Sequence, residues 1–164
     1  MNSFEIKENK LFMKSLLATN MFDAFFMEEA SITTYNHFTI DGHLIPDFYT
    51  KEEQEAMLTD GSFPAFSKWE QMRPICFELI KGKRTPVQFK IVLHAPQNVV
   101  KELISKEECT IDHSLVRALV CTIRFDGINT TCISATALST FVPDKSLDKL
   151  WDEWVSVFLS EMTV

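Results

Sequence analysis

The sequence predicts one α+β domain over residues 1–164, built on a single antiparallel sheet of about five strands with the N-terminal and C-terminal helices packed on one face. Segments in which apolar and polar residues alternate, separated by turn residues, predict antiparallel hairpins. Segments with apolar residues at helical spacing lie near both ends of the chain. Because no internal repeat and no Pro/Gly/Ser-rich linker divides the 164 residues, they fit a single domain.

Four helices are predicted from apolar spacing and from one capping signal. Thr50 followed by Glu53 has the capping-box pattern that begins a helix. The predicted helices cover residues 8–19, 50–58, 99–105 and 146–162. The last is the clearest element, because its apolar residues, two tryptophans among them, recur at i, i+3, i+4 and i+7. Asp148 and Asp152 lie one turn apart on it; they could act as an acid–base pair, but we interpret them as part of its solvated side.

Two extended segments are predicted in the first quarter of the chain. A short one around Phe4 and Ile6 precedes the first helix. The β-branched and aromatic residues from Ala30 to Ile40 predict one strand, closed by an Asp41-Gly42 turn. We expect this strand to join a sheet formed by two hairpins.

The first hairpin is predicted from the alternating segments Ile75–Leu79 and Phe89–Leu93, joined by the loop Gly82–Pro86. The register that collects the apolar residues on one face also places Glu78 opposite Lys90. This opposite-charge pair favours that register.

The second hairpin is predicted to turn at Asp126-Gly127, the dipeptide preferred in two-residue type I′ turns. Counting outward places Cys121 directly opposite Cys132, where Cβ atoms are about 4.5–5.5 Å apart. The two thiols could form a redox pair, but no neighbouring cation is evident that would lower a thiol pKa. We therefore expect buried, reduced cysteines at positions 76, 109, 121 and 132.

Charge is unevenly distributed along the chain. The 16 Lys+Arg and 23 Asp+Glu residues give a formal net charge of −7. The window Leu79–Lys101 contains five basic and no acidic residues, which leaves 11 basic against 23 acidic residues, a charge of −12, for the rest. This balance argues against general nucleic-acid or membrane binding, whereas the basic window could bind one anion.

Composition excludes several kinds of site. With four isolated glycines, the chain has neither a GxGxxG dinucleotide loop nor a phosphate-binding P-loop. No CxxC pair or Cys/His cluster offers a zinc site, so we predict no metal and no cofactor. The first residues do not resemble a signal peptide, and no apolar run approaches the ~20 residues of a membrane-spanning helix. We therefore predict a soluble, cytoplasmic protein.

A set of segments distributed along the chain is typical of one family. They are Glu28–Thr34 running to Thr39–Gly42, Trp69 with Arg73–Phe77, Ile80–Pro86, Phe125–Gly127, and Asp144–Asp148 with Trp151-Asp152. Over almost its whole length the chain thereby resembles an uncharacterised domain family of anaerobic Gram-positive bacteria. The resemblance implies a stand-alone intracellular domain. It transfers no functional residue, because the family has no assigned activity, cofactor or substrate.

The main candidate site is the loop Lys81–Pro86. Three cations, Lys81, Lys83 and Arg84, accompany the hydroxyl of Thr85 and a glycine whose backbone can approach a ligand closely. Together at a hairpin tip, these groups predict an anion-binding or partner-binding site. The alternative interpretation is a solvated tip whose charges aid solubility and discourage edge aggregation.

We therefore expect a non-catalytic intracellular binding or regulatory module that presents this basic tip to a small anionic ligand or to an acidic protein. The alternative is a small enzyme whose acid–base groups converge only in three dimensions, which sequence spacing does not exclude. The groups available to it are His37, His43, His94, His113, Asp41, Asp112 and Asp126. A nucleic-acid partner is disfavoured by the charge, and an exposed sheet edge could pair with a second copy of the chain.

Overall fold

The computed structural model describes residues 1–162 and confirms an α+β fold with one antiparallel sheet. Within this range the helices are α1 (Asn9–Leu17), α2 (Lys51–Met57), α3 (Trp69–Ile80), α4 (Gln97–Ile104) and α5 (Ser146–Ser160). The strands are β1 (Asn2–Ile6), β2 (Phe26–Thr33), β3 (His37–Asp41), β4 (Ser67–Lys68), β5 (Gln88–His94), β6 (Val116–Phe125) and β7 (Thr130–Leu138). Single 3-10 turns lie at Pro46–Phe48 and His113–Leu115.

The sheet has more strands than the predicted five. Its order is β1-β7-β6-β5-β2-β3, and the two-residue strand β4 also pairs with β2. The segment Ala30–Ile40, predicted as one strand, is a hairpin in which Thr34 N–H donates to Asn36 O at 2.9 Å. The turn escaped prediction because it contains neither glycine nor proline. The predicted Asp41-Gly42 turn is also wrong, since Gly42 N–H extends the ladder by donating to Glu28 O at 2.8 Å.

The first predicted hairpin is wrong in its first half, because Ile75–Leu79 belongs to helix α3 and only Phe89–Leu93 is a strand. The alternation of Ile75 and Phe77 indicated a strand, but both side chains are exposed. The buried residues of α3 follow helical spacing instead, with Trp69 and Cys76 fully enclosed and Met72 packed against the core. Tertiary burial of this helical stripe decides the conformation.

The second hairpin forms between β6 and β7, but its register differs from the prediction. Phe125 pairs with Thr130, so the loop holds four residues, 126–129, rather than two. Cys121 consequently lies opposite Ser134 and Cys132 lies opposite Ile123. The two cysteines are diagonal neighbours on one face instead of direct partners.

All four predicted helices form, as α1, α2, α4 and α5, and local and long-range contacts hold them. Thr50 Oγ1 accepts from Glu53 N–H at 3.1 Å and Glu53 Oε2 accepts from Thr50 N–H at 2.9 Å, which completes the capping box of α2. Helices α1 and α5 meet in an aromatic cluster, where the ring of Phe22 lies 6.1 Å from Phe12 and 5.1 Å from Phe158. No helix within residues 1–162 is long and apolar enough to cross a membrane.

The two aspartates of α5 do not lie on a solvated side, which corrects that interpretation. Asp152 accepts a hydrogen bond from Ser134 Oγ and Asp148 accepts one from Thr136 Oγ1, both hydroxyls standing on β7. The side chain of Asp148 is only 16% exposed. These bonds fix α5 on the sheet, so the carboxylates are structural contacts between helix and strand.

The four cysteines are free thiols in different environments. Cys76, Cys121 and Cys132 are buried, whereas Cys109 is half-buried, contrary to the expectation of four buried thiols. Burial raises the pKa of Cys76 to about 12. A hydrogen bond with Cys132, together with burial, raises the pKa of Cys121 well above its ordinary value.

Thiol titration with Ellman's reagent at pH 8 is expected to show one fast cysteine in the native protein. Cys109 should react about a hundredfold faster than the others, because the three buried thiols are not accessible to the reagent. All four should react at once in 8 M urea, and Cys109→Ser should abolish the fast phase. A second fast thiol in the native state would contradict the buried positions of the other three.

Candidate functional site

The basic loop, Lys81–Pro86, connects the end of α3 to β5, so it is not the hairpin tip that the sequence predicted. Helix α3 ends because the backbone of Lys81 becomes extended and Gly82 adopts a φ of +137°, a value that favours glycine. All residues from Lys81 to Thr85 are exposed. The four predicted site residues therefore remain adjacent and accessible although a helix precedes them.

The charges of this loop are only partly compensated. Lys81 Nζ lies 2.8 Å from Glu78 Oε1 in an ion pair. Lys83 and Arg84 have no ion-pair partner among residues 1–162. The predicted pairing of Glu78 with Lys90 is wrong, because Lys90 Nζ lies 2.8 Å from Glu29 Oε1 on β2.

A cavity of about 490 Å³ adjoins the basic loop. Its wall includes the four predicted site residues, Lys81, Lys83, Arg84 and Thr85, and two residues from the β2–β3 turn, Thr34 and Tyr35. Tyr35 is 86% exposed, and its ring lies 5.8 Å from that of Phe38 in an edge-to-face contact. Thr34 Oγ1 is shielded from solvent without a hydrogen-bond partner in the described chain. Cations, hydroxyls and an exposed aromatic ring thus surround one cavity.

Three of the four histidines are exposed, and within residues 1–162 no side-chain hydrogen bond links them to a distant segment. His37 Nδ1 lies 2.7 Å from Thr33 Oγ1, and His113 is exposed in a 3-10 turn. His43 Nδ1 lies 2.6 Å from Asp41 Oδ1, and the backbone N–H and ring of His43 lower the pKa of Asp41. Both side chains of this pair are largely exposed.

The remaining predicted carboxylates stabilise turns. Asp112 accepts from the hydroxyl and backbone N–H of Ser114, and these bonds lower its pKa. Asp126 accepts from the N–H groups of Asn129 and Ile128, which lower its pKa. Neither carboxylate contacts a histidine ring through a hydrogen bond in the described structure. Both carboxylates therefore stabilise the conformations of their loops.

His94 has a carboxylate partner that sequence reasoning missed. Its Nε2 lies 2.6 Å from Glu28 Oε2, and the histidine side chain is only 18% exposed. The two residues are 66 positions apart, so spacing carries no signal for the pair. A half-buried imidazole held by a carboxylate has the arrangement used in general acid–base groups.

His94 lines a second cavity, of about 330 Å³, which we name the His94 cavity. Its apolar wall includes Phe26, Phe63, Pro64, Phe66, Val100 and Ala118. Its polar wall includes Arg117 and Gln97 beside His94, and Asp60 lies at the same opening. The segment between β3 and β4 supplies much of this wall.

Two bulges in the sheet place charged residues beside His94. The pairing of β2 with β5 shifts between Met27 and Glu29, and the pairing of β6 with β7 shifts between Val116 and Ala118. The extra residues are Glu28 and Arg117. Since bulges redirect side chains and often occur beside functional sites, both shifts shape the same region of the sheet.

Residues 1–162 contain no group of three or more His, Cys, Asp or Glu side chains placed to hold a metal ion. A comparison with known protein families finds a match. The model of a family described as "Family of unknown function (DUF5721)" matches residues 15–164. No curated protein and no solved structure matches the chain.

Proposed function

The chain belongs to the DUF5721 family, whose function is unknown, and we propose that it is an anion-binding module that acts through the basic loop. One observation carries the proposal: Lys83 and Arg84 line the same cavity as Lys81 and lack a carboxylate partner among residues 1–162. By contrast, a carboxylate lies within ion-pair distance of Lys90, Lys101 and Lys145. Two uncompensated cations beside a cavity favour a ligand that carries at least two negative charges.

The chemistry of the cavity wall indicates a small phosphorylated ligand. The guanidinium of Arg84 can donate two parallel hydrogen bonds to phosphate, and Lys83 adds a point charge. The exposed ring of Tyr35 offers a stacking surface for an apolar or aromatic group attached to the phosphate. Because the residues outside the window Leu79–Lys101 carry a charge of −12, a long polyanion would be repelled beyond this part of the chain.

Binding, rather than catalysis, is proposed at this loop. The acidic residue in the described cavity wall is Glu78, and its carboxylate is engaged by Lys81 at 2.8 Å. None of the four histidines is among the residues that line the cavity. The wall therefore offers charge and hydrogen-bond donors without a free general base.

Titration calorimetry with pyrophosphate and with ADP tests the proposal. The wild-type chain is expected to bind both, and Lys83→Ala/Arg84→Ala should weaken binding by about tenfold or more because two charge-assisted contacts are lost. Raising NaCl from 50 to 200 mM should also weaken it. Tyr35→Ala should reduce the affinity for ADP and leave that for pyrophosphate unchanged.

The matched control is Lys106→Ala/Arg124→Ala. It also removes one lysine and one arginine, both exposed and both outside the cavity wall. If the two double variants weakened binding equally, the loss of affinity would come from the change in net charge alone, and the proposal would be overturned. Absence of measurable binding by the wild-type chain to either ligand would overturn it as well.

A further inference from the structure

We propose that the His94 cavity is a second ligand site, which takes a small organic carboxylate with an aromatic or branched apolar body. This goes beyond the proposed function, because the His94 cavity and the cavity at the basic loop share no lining residue. The volume of about 330 Å³ lies at the lower end of the range for small-molecule sites, about 300–1,000 Å³. It therefore fits a compact ligand.

The charges around the cavity leave one cation without a partner. The Glu28 carboxylate is hydrogen-bonded to His94 Nε2 at 2.6 Å, and Asp60 Oδ2 lies 3.6 Å from Lys101 Nζ. Arg117 lines the cavity and has no ion-pair partner in the described part of the chain. A single uncompensated guanidinium selects a monoanion, and its planar fork matches a carboxylate.

The apolar wall determines the body of the ligand. The ring of Phe66 contacts two imidazoles, with centroids 4.6 Å from His43 and 4.8 Å from His94. These contacts hold the phenyl ring in place, and Phe26 and Phe63 line the same space. Aromatic walls around a small volume favour a ring or a branched chain, which can pack edge to face or offset against them.

His94 adds a hydrogen-bond acceptor to this wall. In the neutral form of His94, a hydrogen bond from Nε2–H to the Glu28 carboxylate leaves a lone pair on Nδ1. Nδ1 makes no hydrogen bond with residues 1–162, so it can accept one from a hydroxyl or amine on the ligand. Glu28 is then a positioning residue, because it acts on the ligand only through His94.

The two bulges provide an independent reason to regard this region as a site. Glu28 and Arg117 are the residues at which the two sheet pairings shift register, and they stand on strands separated by β5. Regular pairing would turn each side chain to the other face of its strand. Both bulges thus lie at one region of the sheet, where the imidazole of His94 and the guanidinium of Arg117 line the same cavity.

Amide NMR titrations with benzoate, benzamide and the three hydroxybenzoates test the inference on the full chain. Benzoate should bind saturably with shifts at His94 and Arg117, and benzamide should bind about tenfold more weakly because it lacks the charge. At least one hydroxybenzoate should bind more tightly than benzoate. Glu28→Met should remove that gain and keep the binding of benzoate, since methionine offers the Nε2–H of His94 no acceptor oxygen and the ring is no longer held in one tautomer.

Arg117→Met is expected to weaken benzoate binding by about tenfold, while the matched variant Arg124→Met, on the same strand and outside the cavity wall, should not. Both replace a guanidinium with an unbranched apolar chain, and urea denaturation checks that both fold. Equal affinities in the two variants, or equal affinities for benzoate and benzamide, would overturn the inference. Loss of benzoate binding in Lys83→Ala/Arg84→Ala but not in Arg117→Met would assign the carboxylate to the basic loop and also overturn it, without harm to the proposed function.

Discussion

Gly42→Ala is expected to prevent folding or to lower the free energy of unfolding by about 3 kcal/mol or more. A Cβ atom at this position would lie 1.8 Å from Met27 O and 2.9 Å from Glu28 O. Both obstacles are backbone atoms, which cannot move aside as a flexible side chain can. Gly42 is also held from two directions, because its N–H donates to Glu28 O at 2.8 Å and its carbonyl accepts from Ser67 N–H at 2.9 Å.

The control for this variant is Gly61→Ala. Gly61 has a φ of +78°, and no atom lies within 4 Å of the Cβ that alanine would add, so alanine there should cost only about 1 kcal/mol for the left-handed backbone. Urea denaturation followed by circular dichroism compares the two. If Gly42→Ala were as stable as Gly61→Ala, the close approach of Gly42 to the bulge at Glu28 would be wrong.

Local signals in the sequence were sufficient for some elements because the interactions that form them are local. The capping box needs only Thr50 and Glu53, three positions apart, and its two hydrogen bonds form as expected. The amphipathic pattern of residues 146–162 likewise predicted helix α5 correctly. Helix α3 was not predicted, because the apolar residues of Ile75–Leu79 fit both the strand period of two and the helical period of 3.6. Only the burial of Trp69 and Cys76 selects the helical period.

The hairpin of β6 and β7 shows how a side chain can change a register. Asp-Gly predicts a two-residue turn, but Asp126 Oδ1 accepts from Ile128 N–H at 2.9 Å and from Asn129 N–H at 2.7 Å. These bonds stabilise a four-residue loop and move each pairing by two positions. A shift by two keeps the same faces, so the buried residues were correct although their partners were not.

The two candidate sites differ in how much the sequence could show. The basic loop is contiguous, so its cations were visible although the preceding element was misassigned. The His94 cavity depends on Glu28, which is 66 positions from His94, and on Arg117. Bulges orient both charged residues, and a bulge depends on the pairing of strands rather than on spacing within one strand.

Trp69→Ala is expected to lower the free energy of unfolding by about 3–5 kcal/mol, the range for removal of a large buried aromatic side chain. Trp69 is completely buried at the first turn of α3, and its Nε1–H donates to Leu16 O at 2.9 Å. That carbonyl lies in the last turn of α1, where helical partners run out. The indole therefore fills the core and satisfies one of the last carbonyls of a neighbouring helix.

Trp69→Phe separates these two contributions. Phenylalanine keeps most of the apolar contact but leaves Leu16 O without its partner, so we expect a loss of about 1–3 kcal/mol. Trp154→Phe is the control, because Trp154 is half-buried and its ring stacks on Trp151 and Phe158, which phenylalanine can preserve. Urea denaturation should rank the losses with Trp69→Ala largest and Trp154→Phe smallest. Equal stability of Trp69→Phe and the wild type would mean that apolar packing alone holds α3 against α1. The position of the basic loop at the end of α3 would then depend on this packing rather than on the hydrogen bond from Trp69 to Leu16 O.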